Sequence, residues 1–159
     1  MKLWKLLING IQLPRKKAMF ALNRTGMDWA MIYTFILLLI ASIPALSERL
    51  LHPDPPGMNA IFTILYFFMF YYLPLVIMML IAVAGVAYIV TWIAKQRQRK
   101  LKYQIFLKMG LYALAVPLLL YTILVILFPV TTNDLWYALI YVFVVLNVLI
   151  NHYPKKRKK

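Results

Sequence analysis

The chain has 159 residues, 64% of them hydrophobic, and carries 18 Lys and Arg against 4 Asp and Glu, a net charge of +14. A soluble domain is about 45–50% apolar, so too few polar residues remain here to cover a soluble core. There is no cysteine, which excludes disulfides, thiolate metal sites and cysteine nucleophiles.

Several apolar runs of about 18 residues or more set the expected class, an all-α polytopic membrane helix bundle. The chain opens with MKLWKLLINGIQL. Lys2, Lys5, Asn9 and Gln12 fall on one helical stripe, and Leu3, Trp4, Leu7, Ile8 and Ile11 on the other face. This helix is too short and too polar to span, so it is expected to lie in the membrane interface and to end at Pro14. PRKKAMFALNRTG follows with Arg15, Lys16, Lys17 and Arg24, and predicts a second short amphipathic helix closing at Gly26. Residues 1–26 thus read as one basic amphipathic segment. Thr25 and Asp28 predict a capping box that opens the first span, at about 27–46, with Pro44 near its far end. No cleavable signal peptide is expected, since the first apolar run starts behind a basic segment and no small-residue cleavage site follows it.

SERLLHPDPPGM reads as an irregular loop. Residues 59–94 then run uncharged for 36 residues. As a helix this stretch reaches about 54 Å, against a bilayer core of about 30 Å. Residues 107–128 form another span, with Pro117 inside it, where neighbouring helices can rescue the freed carbonyl. Thr132, Asn133 or Asp134 can cap the last span, at about 135–150, and residues 152–159 make a basic tail.

Charge decides the number of crossings. The basic clusters lie at 2–24, 95–108 and 155–159, and only Arg49 falls outside them. If 59–94 crosses once, there are four spans and all three clusters share one side. If it crosses twice, the clusters are divided. The positive-inside bias selects four spans, with both termini cytoplasmic. Tyr71 and Tyr72 precede Trp92 by about 30 Å of helix, the spacing of two aromatic belts. The span is therefore placed at about 73–94. Residues 59–72 become an outer interfacial, re-entrant or kinked helix extension, and the first choice for a partner-binding surface.

The expected contacts to anionic phospholipid or an acidic partner are Lys2, Lys5, Arg15, Lys16, Lys17, Arg97, Arg99 and Lys100. Each cation near an anionic surface is worth about 1 kcal/mol. Four positions are expected to shape helix packing: Pro74 and Pro117 by breaking helices, Gly85 within AVAGVA by close approach, and Asn147 by bonding across an interface. Asp28 reads as a helix cap beside Arg24. Glu48, His52 and Asp54 are too few for a metal site. Lys108, at an interface, is the nearest the spans come to an ionised side chain, which argues against a proton-coupled transporter or an intramembrane hydrolase. No basic groove interleaved with aromatics points to nucleic acid. The expectation is a protein that is not an enzyme and holds no cofactor or metal.

LPRKKAMFALNRTG leading into a span, the LIASIP that ends it, and RKLKYQIFLKMGLYALAVPLLLYTI resemble a family of uncharacterised Bacillus-type membrane proteins. Some of its members are described as maltodextrin-utilisation proteins, and the family is distantly similar to Yip1-type membrane proteins. The resemblance implies a compact bundle of four or five helices and supplies no catalytic residues. Family members usually carry an extracytoplasmic domain between the first two spans, where this chain has only SERLLHPDPPGM. The expected role is an accessory or scaffold subunit that packs against another membrane protein, or itself, and against anionic lipid. The alternative is a small oligomeric transporter or channel component linked to sugar uptake.

Overall fold

The computed structural model describes residues 2–52, 59–99, 102–127 and 136–152, with the backbone alone for Lys2 and Trp136. Asp54, Lys100, Asp134 and the tail from Tyr153 onward lie outside the described residues.

Two short helices come first, α1 (Lys2–Ile11) and α2 (Lys16–Asn23), joined by a turn through a cis Leu13–Pro14 bond. The long α3 (Met27–Leu51) follows. Next comes one continuous helix of 37 residues, Ala60–Gln96. It consists of α4 (Ala60–Phe67), a π-helical turn (Phe68–Tyr72) and α5 (Leu73–Gln96). α6 (Tyr103–Ala113) and α7 (Ala115–Leu127) form a second broken helix, and α8 (Trp136–His152) completes the bundle. Three of these bodies are long and apolar enough to cross a membrane, and α8 is shorter. Its 17 residues reach about 25 Å, at the low end of what spans. The protein is an all-α multi-pass membrane bundle.

α6 is the centre of the packing, in contact with α1, α2, α3, α5 and α8. Phe106, Met109, Leu111 and Tyr112 are buried there against Leu38, Val83, Val142 and Leu146. Gly110 allows this density. A Cβ on it would stand 2.9 Å from Val83 Cγ1, with Val142 and Leu146 next. At Gly85 a Cβ meets nothing within 4 Å. The close approach expected at Gly85 therefore occurs at Gly110, which carries α6 onto α5 and α8.

Each interior proline removes an N–H and leaves one carbonyl without its helical donor. Pro117 frees the carbonyl of Ala113, and the helix breaks at Leu114 and restarts with the Leu118 N–H on the Leu114 carbonyl. Pro74 is handled differently. The Leu73 N–H reaches back five residues to Phe68, and the π turn absorbs the misfit without ending the helix. Residues 60–72 therefore continue into α5 as one unbroken helix. At its other end α5 stops in a Schellman turn, with Gln98 at φ 54° and the Arg99 N–H on the Ala94 carbonyl.

Two sequence expectations need correction. No capping box opens α3: Gly26 is the N-cap, with no side-chain cap bond, and Thr25 instead donates to the Leu22 carbonyl at 2.6 Å. Nor is α1 two-sided. Leu6, Gly10 and Leu13 are buried, while Trp4, Ile8 and Ile11 are exposed and Lys5 and Gln12 form a third side. A Cβ at Gly10 would meet the Tyr33 hydroxyl at 2.8 Å and the Tyr112 carbonyl at 3.0 Å. α1 is docked on the bundle and keeps an exposed apolar side as well. Counting hydrophobic residues misses this because its key docking residue is a glycine.

Replacing Gly110 by leucine forces apart α5, α6 and α8 and is expected to cost about 1–3 kcal/mol. Thermal melting of the helical circular dichroism in detergent should show a clear drop for Gly110→Leu and little change for Gly85→Leu.

Candidate functional site

The antiparallel course of the helices gathers the basic residues. α1, α2, the start of α3, the end of α5 and the start of α6 meet at one end of the bundle. Lys5, Arg15, Lys16 and Lys17 are exposed there, as is Arg97. Arg97 Nη1 donates to Asn151 Oδ1 of α8 at 3.4 Å, and Arg99 is half-buried.

This end is held by one ammonium. α2 finishes at Asn23, leaving carbonyls without intrahelical donors. Lys108 Nζ donates to the Asn23 carbonyl at 2.7 Å and to the Thr25 carbonyl at 2.8 Å. A cation at a helix C-terminus also meets the favourable end of its dipole. One turn along α6, Tyr112 lies 2.9 Å from Thr25 Oγ1. The Thr25 proton goes to Leu22, so the tyrosine hydroxyl donates. Lys108 and Tyr112 thus clasp the α2–α3 junction to α6. The sequence marked Lys108 only as an interfacial cation, because its partners are backbone carbonyls 83 and 85 residues away.

The polar groups within the spans turn back on their own helices. Thr34 donates to Ala30, Ser42 to Leu39, Thr91 to Ala87 and Thr122 to Leu118. Asn147 Nδ2 donates to Phe143 at 2.9 Å rather than across an interface. Tyr33 keeps a buried hydroxyl with no hydrogen-bond partner among the described residues, against the Tyr112 ring at 5.2 Å between centroids. Tyr72 sends its hydroxyl to the Phe35 carbonyl of α3 at 2.9 Å.

At the opposite end, Arg49 lies over two rings, 5.9 Å from the Phe67 centroid and 5.2 Å from that of Tyr71. This cation–π stack aligns the far end of α3 with the π turn. From Met27 to Arg49 is about 33 Å of helix, and from Tyr71 to Lys95 about 36 Å. Both match one bilayer core of about 30 Å. The 11 residues from Ala60 to Phe70 add about 16 Å of helix in excess of that length, an overhang of α5. Thr63 and Phe67 are buried on one side of this overhang. Ile61, Phe62, Leu65, Met69 and Phe70 are all at least 59% exposed. Glu48 lines a cavity of about 550 Å³ beside it, with Pro44, Ser47, Tyr71 and Tyr121. Among the described residues no three His, Asp or Glu gather to hold a metal.

Lys108→Met leaves both clasped carbonyls without their charged donor, at a cost of about 1.5–3 kcal/mol. Trypsin should then cut at Arg15–Lys17 about tenfold faster or more than in the parent chain. Lys108→Arg keeps a donor and should remain protected.

No curated protein and no solved structure matches the chain. A family model does, the Yip1 domain, over residues 12–158. That match takes in α2 through α8 and leaves α1 ahead of it. The chain belongs to the Yip1 domain family of membrane proteins.

Proposed function

We propose that this chain is a non-enzymatic accessory or scaffold subunit of a bacterial cytoplasmic membrane, with both termini cytoplasmic. It holds anionic lipid at its basic end and packs against another membrane protein, or a second copy of itself, through the overhang of α4 and the π turn. The overhang carries this reading. A helix of 37 residues is about 55 Å long, and even a tilt of about 40° leaves it about 42 Å tall in a core of about 30 Å. Apolar side chains held outside the hydrocarbon mark interaction surfaces. The basic end supports the orientation, since Lys and Arg concentrate on the cytoplasmic side. A transporter role finds less support, because Thr34, Thr91, Thr122 and Asn147 are committed to carbonyls of their own helices.

A photo-crosslinking residue placed at Phe62 or Met69 is expected to form one reproducible protein adduct in cells, to a second copy or to a single partner. The same residue at Met78, inside the span and 64% exposed, should yield none. Equal labelling at all three positions defeats the overhang as the contact surface. Because the chain has no native cysteine, orientation can be read separately. A cysteine at Leu51 should react with an impermeant reagent from outside the cell and one at Lys16 should not.

A further inference from the structure

Between α1 and the α2–α3 junction lies a cleft of about 420 Å³. Lys5 and Asn9 of α1 line one wall, and Arg24, Thr25, Gly26 and Trp29 the other. We infer that this cleft is a binding site for a phosphate ester, filled in the membrane by the headgroup phosphate of an anionic glycerophospholipid. The inference rests on the reading that the basic end meets an anionic leaflet, and narrows it to one site.

Four observations converge on it. Two cations from separate helices face one concavity, and like charges so gathered repel until an anion sits between them. Lys5, Asn9 and Arg24 have no side-chain hydrogen bond or ion pair among the described residues, so their donors remain available. A third cation lies behind the wall, since Lys108 is bonded to the carbonyl of Thr25. Asp28 is the one nearby acid, its Oδ2 4.0 Å from where a Cβ on Gly26 would lie, and three cations outweigh it. The chemistry then selects among anions. The planar fork of arginine suits two phosphate oxygens, while lysine adds a mobile point charge and the Asn9 amide a neutral donor. Thr25 offers no proton, having given it to Leu22. Depth favours a lipid over a soluble ester. Trp29 lines the cleft, and Trp4 and Phe20, next to Lys5 and Ala21, are 68% and 53% exposed. Such aromatics mark the headgroup level and give acyl chains an apolar surface beside the phosphate.

The test is lipid retention by the full chain in native mass spectrometry, with phosphatidylglycerol against phosphatidylcholine. The parent chain is expected to keep one phosphatidylglycerol in preference. Lys5→Gln and Arg24→Gln should each weaken retention about fivefold, the loss due to one cation near an anionic surface. Lys95→Gln removes one charge from the exposed end of α5, at the same end of the bundle but off the cleft, and should leave retention unchanged. Arg24→Lys should keep most of it. All three substituted side chains are exposed, and an unchanged elution volume and helix signal would show that the variants fold. Equal losses for Lys5, Arg24 and Lys95 overturn the site while leaving the general adhesion of the basic end intact. No preference for phosphatidylglycerol in the parent chain overturns both. Displacement of the lipid by millimolar glycerol phosphate would support the site and assign it to a soluble ester. Failure of displacement, with retention still dependent on Lys5 and Arg24, assigns it to the lipid.

Discussion

No water reaches the bilayer core, so every backbone N–H and C=O there must find its partner within the protein. That constraint shapes this bundle more than any pairwise contact. It makes each span a helix, and it turns each interior proline into a local problem with a local answer. At Pro117 the answer is a break at Leu114, placed where α6 is packed on several neighbours. At Pro74 it is a π turn that keeps the helix running. Thr34, Thr91, Thr122 and Asn147 obey the same rule by bonding to carbonyls four residues back in their own helices. With these four side chains spent in this way, close packing carries more of the helix association inside the bundle, and Gly110 supplies it where α6 meets α5 and α8.

Lys108 marks where the constraint relaxes. A lysine within hydrocarbon is expensive, but one near the end of a span can reach interfacial carbonyls. Its targets are the unsatisfied end of α2 and the entrance to α3. One side chain thereby completes the hydrogen bonding of one helix, fixes where another begins, and brings its charge behind the wall of a cleft that already holds Lys5 and Arg24. Folding and ligand chemistry share the same ammonium, which is why the basic end is more than a loose field of surface charge.

Much of the fold was legible in the residues because hydrophobic length and charge asymmetry are read directly along the chain. The apolar runs give the all-α class, and the basic clusters that sequence groups at 2–24 and 95–108 are brought to one end. What stayed hidden depends on distance in space. Gly85 looked like a packing glycine because its neighbours are small, yet it faces open space, while Gly110, flanked in sequence by Met109 and Leu111, is the one packed closely against Val83, Val142 and Leu146. Thr25 and Asp28 have the spacing of a capping box, but Tyr112, 87 residues on, competes for the threonine hydroxyl. Arg49 looked like a stray charge, and its role needs Phe67 and Tyr71 from another helix. In the candidate site, the cationic residues were visible individually, and the cavity that unites two of them was not.

The third side of α1 gives that cavity its meaning. An amphipathic helix with two faces can only float at an interface, with lipid beneath and water above. α1 has Leu6 and Gly10 against the bundle, Trp4 and Ile8 on an exposed apolar side, and Lys5 on the remaining side. Docking through Gly10 fixes the rotation of the helix about its axis, because no other residue there lets the backbone approach Tyr33 and Tyr112 so closely. With rotation fixed, Lys5 and Asn9 face Arg24. Arg24, Thr25 and Trp29 lie within the Yip1 domain match, whereas Lys5 and Asn9 precede it. One wall of the cleft is therefore family architecture and the other is a helix joined to it, and the phosphate chemistry exists only where the two are held together.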